Sequence, residues 1–250
     1  MSTSMPRATN RQLGNVGNLG DILKHAALVE LATLLAGTRA DVSFVETHTF
    51  KLEAPLPDRA RWDREVAARV ALHPAYERYA TLERASLARS GHYRCSSGLV
   101  LDALHDRRAC AVLGEANAAT RAELSAQIAA ERLANVLVVD DAARVDDAAG
   151  VPSRGALLVH VDPFTLSAEL WSRIAPALSA MSARSAHAAF VLYRYSRNAR
   201  APWPEAPAGT SGPLIETRGG PHEVAAYASP GIAEAVRNTC AALGWASRAD

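Results

Sequence analysis

The sequence predicts an α/β fold built on a mostly parallel, doubly wound sheet. Strand-like and helix-like segments alternate from about Asp21 onward, which is the pattern of successive βαβ units. The apolar runs 136–139 and 157–159 contain no polar residue, as is typical of strands buried on both faces. At 250 residues, the chain is long enough to bury a substantial core.

The first half of the chain contains a helix, a strand and then a long helical stretch. Asp21 is a candidate N-cap for a helix over 22–36, and the β-rich run 42–46 follows it. The segment 55–58 breaks the chain, and 59–89 is helical with an interruption at Pro74. Three shorter elements come next: a helical turn or two over 99–105, an apolar strand over 109–113 and a helix over 118–132.

The second half returns to short strands. Strands are predicted over 136–139 and 156–161, and a helix over 167–181 precedes a strand over 187–193. The segment 196–212 is rich in Pro, Gly and Ala and indicates a loop. Two last strands, 214–217 and 224–227, flank Gly219-Gly220, and a helix over 230–243 closes the chain.

This order predicts a polar N-terminal tail over 1–20 and a single domain over 21–250, with a helical insertion at about 57–95. The insertion is locally rich in arginine, but its acids offset much of that charge. We therefore interpret it as a solvated helix pair rather than an RNA-binding surface.

Composition narrows the class of protein. The 27 Lys and Arg residues nearly balance the 26 Asp and Glu residues, so extended binding to RNA phosphates is not favoured. The first 20 residues are polar and no apolar run reaches the ~18 residues of a membrane span, so we expect a cytoplasmic protein without a membrane partner. The three cysteines lack metal-ligand spacing, which predicts free thiols and no metal site.

Four consecutive predicted strands each end on a carboxylate. The acids are Glu46, Glu115, the pair Asp140-Asp141, and Asp162. Because ligands of open parallel sheets bind beyond the carboxyl ends of the strands, we expect these acids to line one cleft. The second position suits a ribose diol, since a carboxylate accepts two hydroxyl hydrogen bonds, and the third suits the exocyclic amine of an adenine.

Lysine is rare in this chain, which contains only Lys24 and Lys51. Lys24 shares a helical stripe with Leu28, Leu31 and Leu35, at spacings of 4, 7 and 11 residues. A lysine on this stripe either snorkels at the edge of the helix or points into the cleft.

The segment Gly17-Asn18-x-x-Asp21-x-Leu23-Lys24-His25 resembles the opening motif G-N-x-x-D-x-L-K-H of the RlmJ family of bacterial 23S rRNA adenine methyltransferases. Later segments also resemble that family, in the same order. Thr47-His48 is similar to its first-strand motif D-T-H-A-G-A-G. The run Arg89-Ser90-Gly91, with Arg94 and Ser97, is similar to R-S-G…R…G-S-P, and 161–164 is similar to the catalytic D-P-P-Y.

The resemblance covers roughly residues 12–243. It implies a Rossmann-like class I methyltransferase fold with a helical insertion after the first strand, and S-adenosylmethionine as the methyl donor. Asp162 would orient an amine of the acceptor, and Phe164 would stack on it. The cofactor-binding residues predicted on this basis are Lys24, His25, His48, Ser97, Glu115, Asp140 and Asp141. Independently of the resemblance, Glu46 and His48 are candidate acid–base groups of the cleft.

Two departures from the family pattern matter. The first-strand loop, 46–52, has no G-x-G, so side chains of Thr49, Phe50 and Lys51 occupy the space where glycines let a backbone approach the cofactor. In the catalytic motif, the second proline is replaced by Phe164 and the aromatic residue by Thr165. Both changes make the predicted site less suited to stacking and hydrogen bonding with a flipped adenine base.

Three functional hypotheses remain open at this point. The first is a methyltransferase acting on an amine of a nucleobase or a small molecule. The second is a repurposed, cofactor-independent enzyme of small-molecule biosynthesis, in which clustered carboxylates and His48 catalyse a substitution or an elimination. The third is a non-catalytic partner subunit that stabilises an active homologue.

Overall fold

The computed structural model describes residues 13–105, 108–141, 155–163, 166–195 and 202–246. The strands are β1 (Asp41–Glu46), β2 (Glu53–Ala54), β3 (Tyr93–Arg94), β4 (Arg108–Gly114), β5 (Val136–Val139), β6 (Ala156–Val161), β7 (His187–Tyr195), β8 (Ser211–Gly219) and β9 (His222–Ala228). The helices are α1 (Leu19–Thr38), α2 (Arg59–Leu72), α3 (Tyr76–Ser90), α4 (Ser96–Ala103), α5 (Ala118–Ala130), α6 (Ala168–Ala183) and α7 (Ala233–Ala242).

Seven strands form one sheet in the order β5-β4-β1-β6-β7-β9-β8. The strands from β5 to β7 pair in parallel, and β9 pairs antiparallel with both β7 and β8. From β1 the chain winds outward through β4 to β5, and it then returns to the other side of β1 at β6. The topological switch point therefore lies between β1 and β6. The predicted Rossmann-like α/β fold, mostly parallel and doubly wound, is confirmed.

Each central strand contributes side chains to two apolar cores, one on either face of the sheet. On β7, Ala189 and Val191 pack in the core that contains α1, whereas Phe190 and Leu192 pack in the core that contains α6. This alternation follows from the period of two of a β-strand. It explains why the central strands are apolar at most positions.

The predicted burial of β5 on both faces is wrong. β5 is the edge strand, with β4 as its neighbour in the sheet, and Leu137 is 49% exposed. An apolar run of four residues cannot distinguish a central strand from an edge strand, because burial depends on neighbours that the run does not encode.

α1 begins at Leu19, three residues earlier than predicted, and its N-cap is Asn18 rather than Asp21. The Asn18 Oδ1 atom accepts the backbone N–H of Asp21 at 3.0 Å. Asp21 lies instead in the first turn, where its carboxylate accepts the N–H of Gly17 at 2.8 Å and faces the positive end of the helix dipole.

The helical insertion after β1 is confirmed, and its two helices α2 and α3 are separated at Pro74 as expected. It is attached to the domain by buried aromatic residues. The Trp62 Nε1–H donates to Tyr79 Oη at 3.0 Å, and Tyr79 Oη is 3.0 Å from Tyr93 Oη, which in turn lies 3.0 Å from His25 Nδ1 on α1. The two-stranded sheet of β2 and β3 was not predicted, because strands of two residues leave no periodic pattern.

The remaining elements differ from the predictions mainly at their ends. α4 begins at Ser96 rather than Leu99, and β7 continues to Tyr195, two residues beyond the predicted end. α7 begins at Ala233, after the predicted start at Pro230. Cys95, Cys110 and Cys240 are free thiols. None of the helices in the described ranges combines the length and apolarity needed to cross a bilayer.

Candidate functional site

A cavity of about 620 Å³ lies at the carboxyl ends of β1, β6 and β7, beside the switch point. This is where ligands of open α/β sheets bind. The lining residues come from the turn before α1, from α1, from the loop after β1, and from the ends of β3, β6, β7 and β9. They are Gly14, Asn15, Val16, Asn18, Asp21, Lys24, His25, His48, Phe50, Tyr93, Cys95, Ser96, Asp162, Tyr193, Tyr195 and His222.

Lys24 points into this cavity rather than snorkelling at the edge of its helix. Its ammonium group forms an ion pair with Asp162 and a second with Asp21, at 2.8 Å from Asp21 Oδ1. The Lys24 side chain is only 8% exposed. Burial would lower the pKa of Lys24, but the two carboxylates outweigh it and raise that pKa. Lys24 and His25 also help to lower the pKa of Asp21 against the effect of burial.

The charged side chains that line the cavity therefore sum to about −1. Two carboxylates, Asp21 and Asp162, surround one ammonium, Lys24. Because that ammonium is already bonded to both acids, the cavity is suited to a cationic or neutral ligand group rather than to a phosphate.

Three histidines on the cavity wall are held in their neutral form. Burial lowers the pKa of His25 to about 3, and it lowers the pKa of His48 and of His222 as well. His25 Nδ1 lies 3.0 Å from Tyr93 Oη, and His48 Nδ1 lies 2.7 Å from Thr47 Oγ1. At neutral pH these imidazoles supply hydrogen-bonding nitrogens without adding positive charge.

Aromatic rings form much of the opposite wall. The Lys24 ammonium lies 4.6 Å from the centre of the Tyr193 ring, and Tyr193 Oη lies 2.8 Å from His222 Nδ1. The His222 ring contacts the Tyr195 ring edge to face, with centroids 5.4 Å apart. Such faces can hold either a planar ring or a cation next to the carboxylates.

The loop after β1 closes over the end of β4 instead of presenting a glycine-rich backbone. The Thr49 N–H donates to the carbonyl of Gly114 at 2.7 Å. A Cβ atom on Gly114 would lie 2.7 Å from the carbonyl oxygen of Thr47, so this glycine permits the close packing. Phe50 lines the cavity, whereas Lys51 does not and pairs with Glu123 on α5.

The expectation that all four strand-end acids line one cleft is only partly met, because only Asp162 is among the lining residues. Glu46 is fully buried behind the cavity wall and accepts hydrogen bonds from Ser96 and from His160. Both hydrogen bonds go to Oε1, and Glu46 is not among the residues that line the cavity.

The other predicted acids lie on the β4–β5 side of β1. Glu115 Oε1 accepts the N–H of Asn117 at 2.6 Å, and burial raises the pKa of Glu115. Asp140 is exposed, and Asp141 lies 3.3 Å from Arg173 on α6.

Ser97 also lies away from the cavity, since its hydroxyl donates to the Lys51 carbonyl at 3.4 Å. Phe164 and Thr165 lie outside the described residues.

Sequence reasoning missed the wall formed by β7 and β9. Tyr193, Tyr195 and His222 lie in or beside strands whose pattern carried no sign of a site. His160 was also left without a role. A histidine inside the apolar run of β6 is the one signal that could have identified it, because a buried imidazole needs a polar partner.

Comparison with known proteins supports the fold. No family model matches the chain, and no curated protein sequence matches it. A crystal structure of a Legionella pneumophila Philadelphia 1 protein, described by the family name DUF519, has a TM-score of 0.59 and 15% identity. It covers 90% of this chain, which in turn covers 92% of that protein.

Two further structures are described provisionally as methylating enzymes. One, from Escherichia coli, has a TM-score of 0.43 and 14% identity, covering 92% of this chain and 89% of its own. The other, from Haemophilus influenzae, has a TM-score of 0.36 and 13% identity, covering 54% of this chain and 81% of its own. Both scores are too low to carry an argument. The likeness to the Legionella protein therefore establishes a shared α/β fold for this chain.

Proposed function

We propose that this chain is an S-adenosylmethionine-dependent methyltransferase that acts on an amine nitrogen of a nucleobase or a small molecule. The observation that carries the proposal is the position of Asp162, which follows β6 at the switch point and faces a 620 Å³ cavity together with His48. A carboxylate at this place can accept a hydrogen bond from an amine and orient its lone pair.

The residues present fit the cofactor in charge. Its sulfonium centre is a cation, and the cavity has a charge of about −1 and aromatic walls from Phe50 and Tyr193. In this proposal Glu115 holds the ribose and Asp140 or Asp141 the adenine, from the ends of β4 and β5, outside the residues that line the cavity. When bound, the cofactor supplies an electrophilic methyl group.

The chain's own residues then have distinct roles. Asp162 accepts the N–H of the acceptor amine and takes up its proton, while Lys24 holds that carboxylate in place. His48 offers a neutral nitrogen at the cavity wall. The ion pairs of Lys24 with two acids favour this positioning role over binding of the cofactor's carboxylate.

Calorimetric titration with S-adenosylmethionine tests the proposal. We expect saturable binding to the wild-type chain, and an affinity at least tenfold lower in Glu115→Ala, since a buried hydrogen bond to a charged group contributes about 1.5–3 kcal/mol. Glu77→Ala, which removes an exposed acid of α3, is the matched control and should bind normally. Absence of binding at millimolar ligand would refute the proposal, and unchanged affinity in Glu115→Ala would refute the ribose assignment.

The second candidate is a cofactor-independent acid–base enzyme. The loop after β1 favours it, because the Thr49–Gly114 hydrogen bond closes that loop over β4 and Phe50 occupies part of the cavity wall. In this case Asp162 would abstract a proton from a small cationic or neutral metabolite. The same titration separates the candidates, since only the first requires S-adenosylmethionine to bind.

A further inference from the structure

Directly behind Asp162 lies a buried chain of polar side chains. Ser96 Oγ donates to Glu46 Oε1, and the same oxygen lies 2.7 Å from His160 Nδ1. The side chains of His160 and Glu46 are 0% and 1% exposed. Because the carboxylate accepts from Nδ1, it selects the tautomer of His160 that carries its proton there.

The opposite nitrogen of this imidazole points toward Asp162. His160 Nε2 lies 3.9 Å from Asp162 Oδ2, and it is buried without a hydrogen-bond partner in the described part of the chain. In the neutral tautomer a lone pair on Nε2 therefore faces a carboxylate oxygen, an arrangement that a proton between them would stabilise. A buried imidazole nitrogen without a hydrogen-bond partner costs stability, and such an exception in a folded protein calls for an explanation in terms of function.

We propose that His160 is a positioning residue that shares a proton with Asp162, so that Ser96, Glu46, His160 and Asp162 form an acid–base relay ending at the cavity. When Asp162 takes a proton from a ligand, the ligand's N–H bond breaks and its electron pair stays on nitrogen. The proton then passes from Asp162 to His160 Nε2, which restores the carboxylate. The resulting imidazolium lies between two carboxylates, Glu46 and Asp162, which offset its charge.

The surroundings of His160 favour this charge balance. The titratable groups that interact with it are Glu46 on β1, His48 in the following loop, Asp162 after β6 and His25 on α1. The two other histidines are neutral at pH 7 because burial lowers their pKa values. Lys24 pairs with both Asp21 and Asp162, so these two acids together exceed its charge by one. Glu46 and this residual negative charge lie nearest to His160.

The inference rests on the proposed function for the identity of the proton donor, but the relay would serve the second candidate equally. Its test needs no cofactor or acceptor. The full-length chain, labelled with ¹⁵N-histidine, is followed by NMR against pH, and His160→Gln identifies which of the eight histidine signals belongs to His160. At pH 7 we expect His160 to carry its proton on Nδ1.

The decisive comparison is Asp162→Asn with the wild-type chain. Loss of a carboxylate 3.9 Å from Nε2 should lower the protonation midpoint of His160 by about one pH unit or more, a tenfold loss of proton affinity. Asp141→Asn, which neutralises another strand-end acid, is the matched control and should leave the midpoint unchanged. If Asp162→Asn does not fold, Glu46→Gln should produce a fall of the same sign.

A midpoint that moves by less than about half a pH unit in the folded variant would overturn the relay, because a proton shared with Asp162 must respond to the loss of that carboxylate. An Nε2–H tautomer in the wild-type chain would overturn it as well. Either result is independent of calorimetry with S-adenosylmethionine. Failure of the relay and failure of the methyltransferase proposal are therefore distinguishable.

Discussion

Replacing Lys24 by methionine should destabilise the domain far more than the same change at Lys51. Lys24 is 8% exposed and bonded to two acids that are each 16% exposed, so its loss leaves two buried carboxylates without a cation. At an effective dielectric constant of about 20, unit charges 2.8 Å apart attract by about 6 kcal/mol before desolvation is counted. Removing one partner of such a pair costs about 3–5 kcal/mol.

Urea unfolding followed by circular dichroism at pH 7 measures this cost. Lys51→Met is a matched control because Lys51 pairs with Glu123, which is 55% exposed, and the change should cost about 1 kcal/mol or less. Lys24→Met combined with Asp162→Asn should recover part of the loss, since one uncompensated carboxylate is then removed. Equal costs for the two single lysine variants would refute the argument that Lys24 is the buried cation of the site.

Three further predictions concern other parts of the domain. Between pH 6.5 and 3, His25 binds a proton in the unfolded chain but not in the folded one, so the free energy of unfolding should fall by up to about 1.4 kcal/mol for each unit of decreasing pH. Urea unfolding at several pH values measures this dependence, and His25→Gln should abolish it. Arg94→Met should cost about 2–3 kcal/mol in urea unfolding, because Asp102 and Glu131 lose a buried guanidinium. Gly114→Ala should cost about 1–3 kcal/mol through its clash with Thr47, whereas Gly37→Ala, whose new Cβ meets nothing within 4 Å, should not destabilise.

The fold could be predicted from the sequence because it depends on local features that repeat along the chain, namely short apolar runs alternating with helical segments. Central strands such as β6 are apolar at nearly every position, and the helical insertion is divided by a clear break at Pro74. The exposure of β5 could not be predicted, since it depends on which strand lies at the edge of the sheet. The short strands β2 and β3 depend on a tertiary pairing that two residues cannot signal.

The candidate site was readable where its residues follow strands or share a helix face. Asp162, His48 and Lys24 were singled out on that ground, and they line one cavity. Glu46 was placed correctly at the end of β1, but its partners His160 and Ser96 come from distant segments that no local pattern connects. A single sequence does not indicate which buried polar groups from distant segments pair with one another.

The cavity draws on the parallel and the antiparallel parts of one sheet. Its acid–base groups follow the parallel strands at the switch point, whereas Tyr193, Tyr195 and His222 lie on β7 and β9, where the pairing changes from parallel to antiparallel. The turn between β8 and β9 is solvent-facing at Gly220, so the edge hairpin can accept changes in length and sequence without moving β1 or β6. Evolution or design can thus change which ligands the cavity selects by altering this hairpin, while the acid–base groups beside β1 and β6 stay the same.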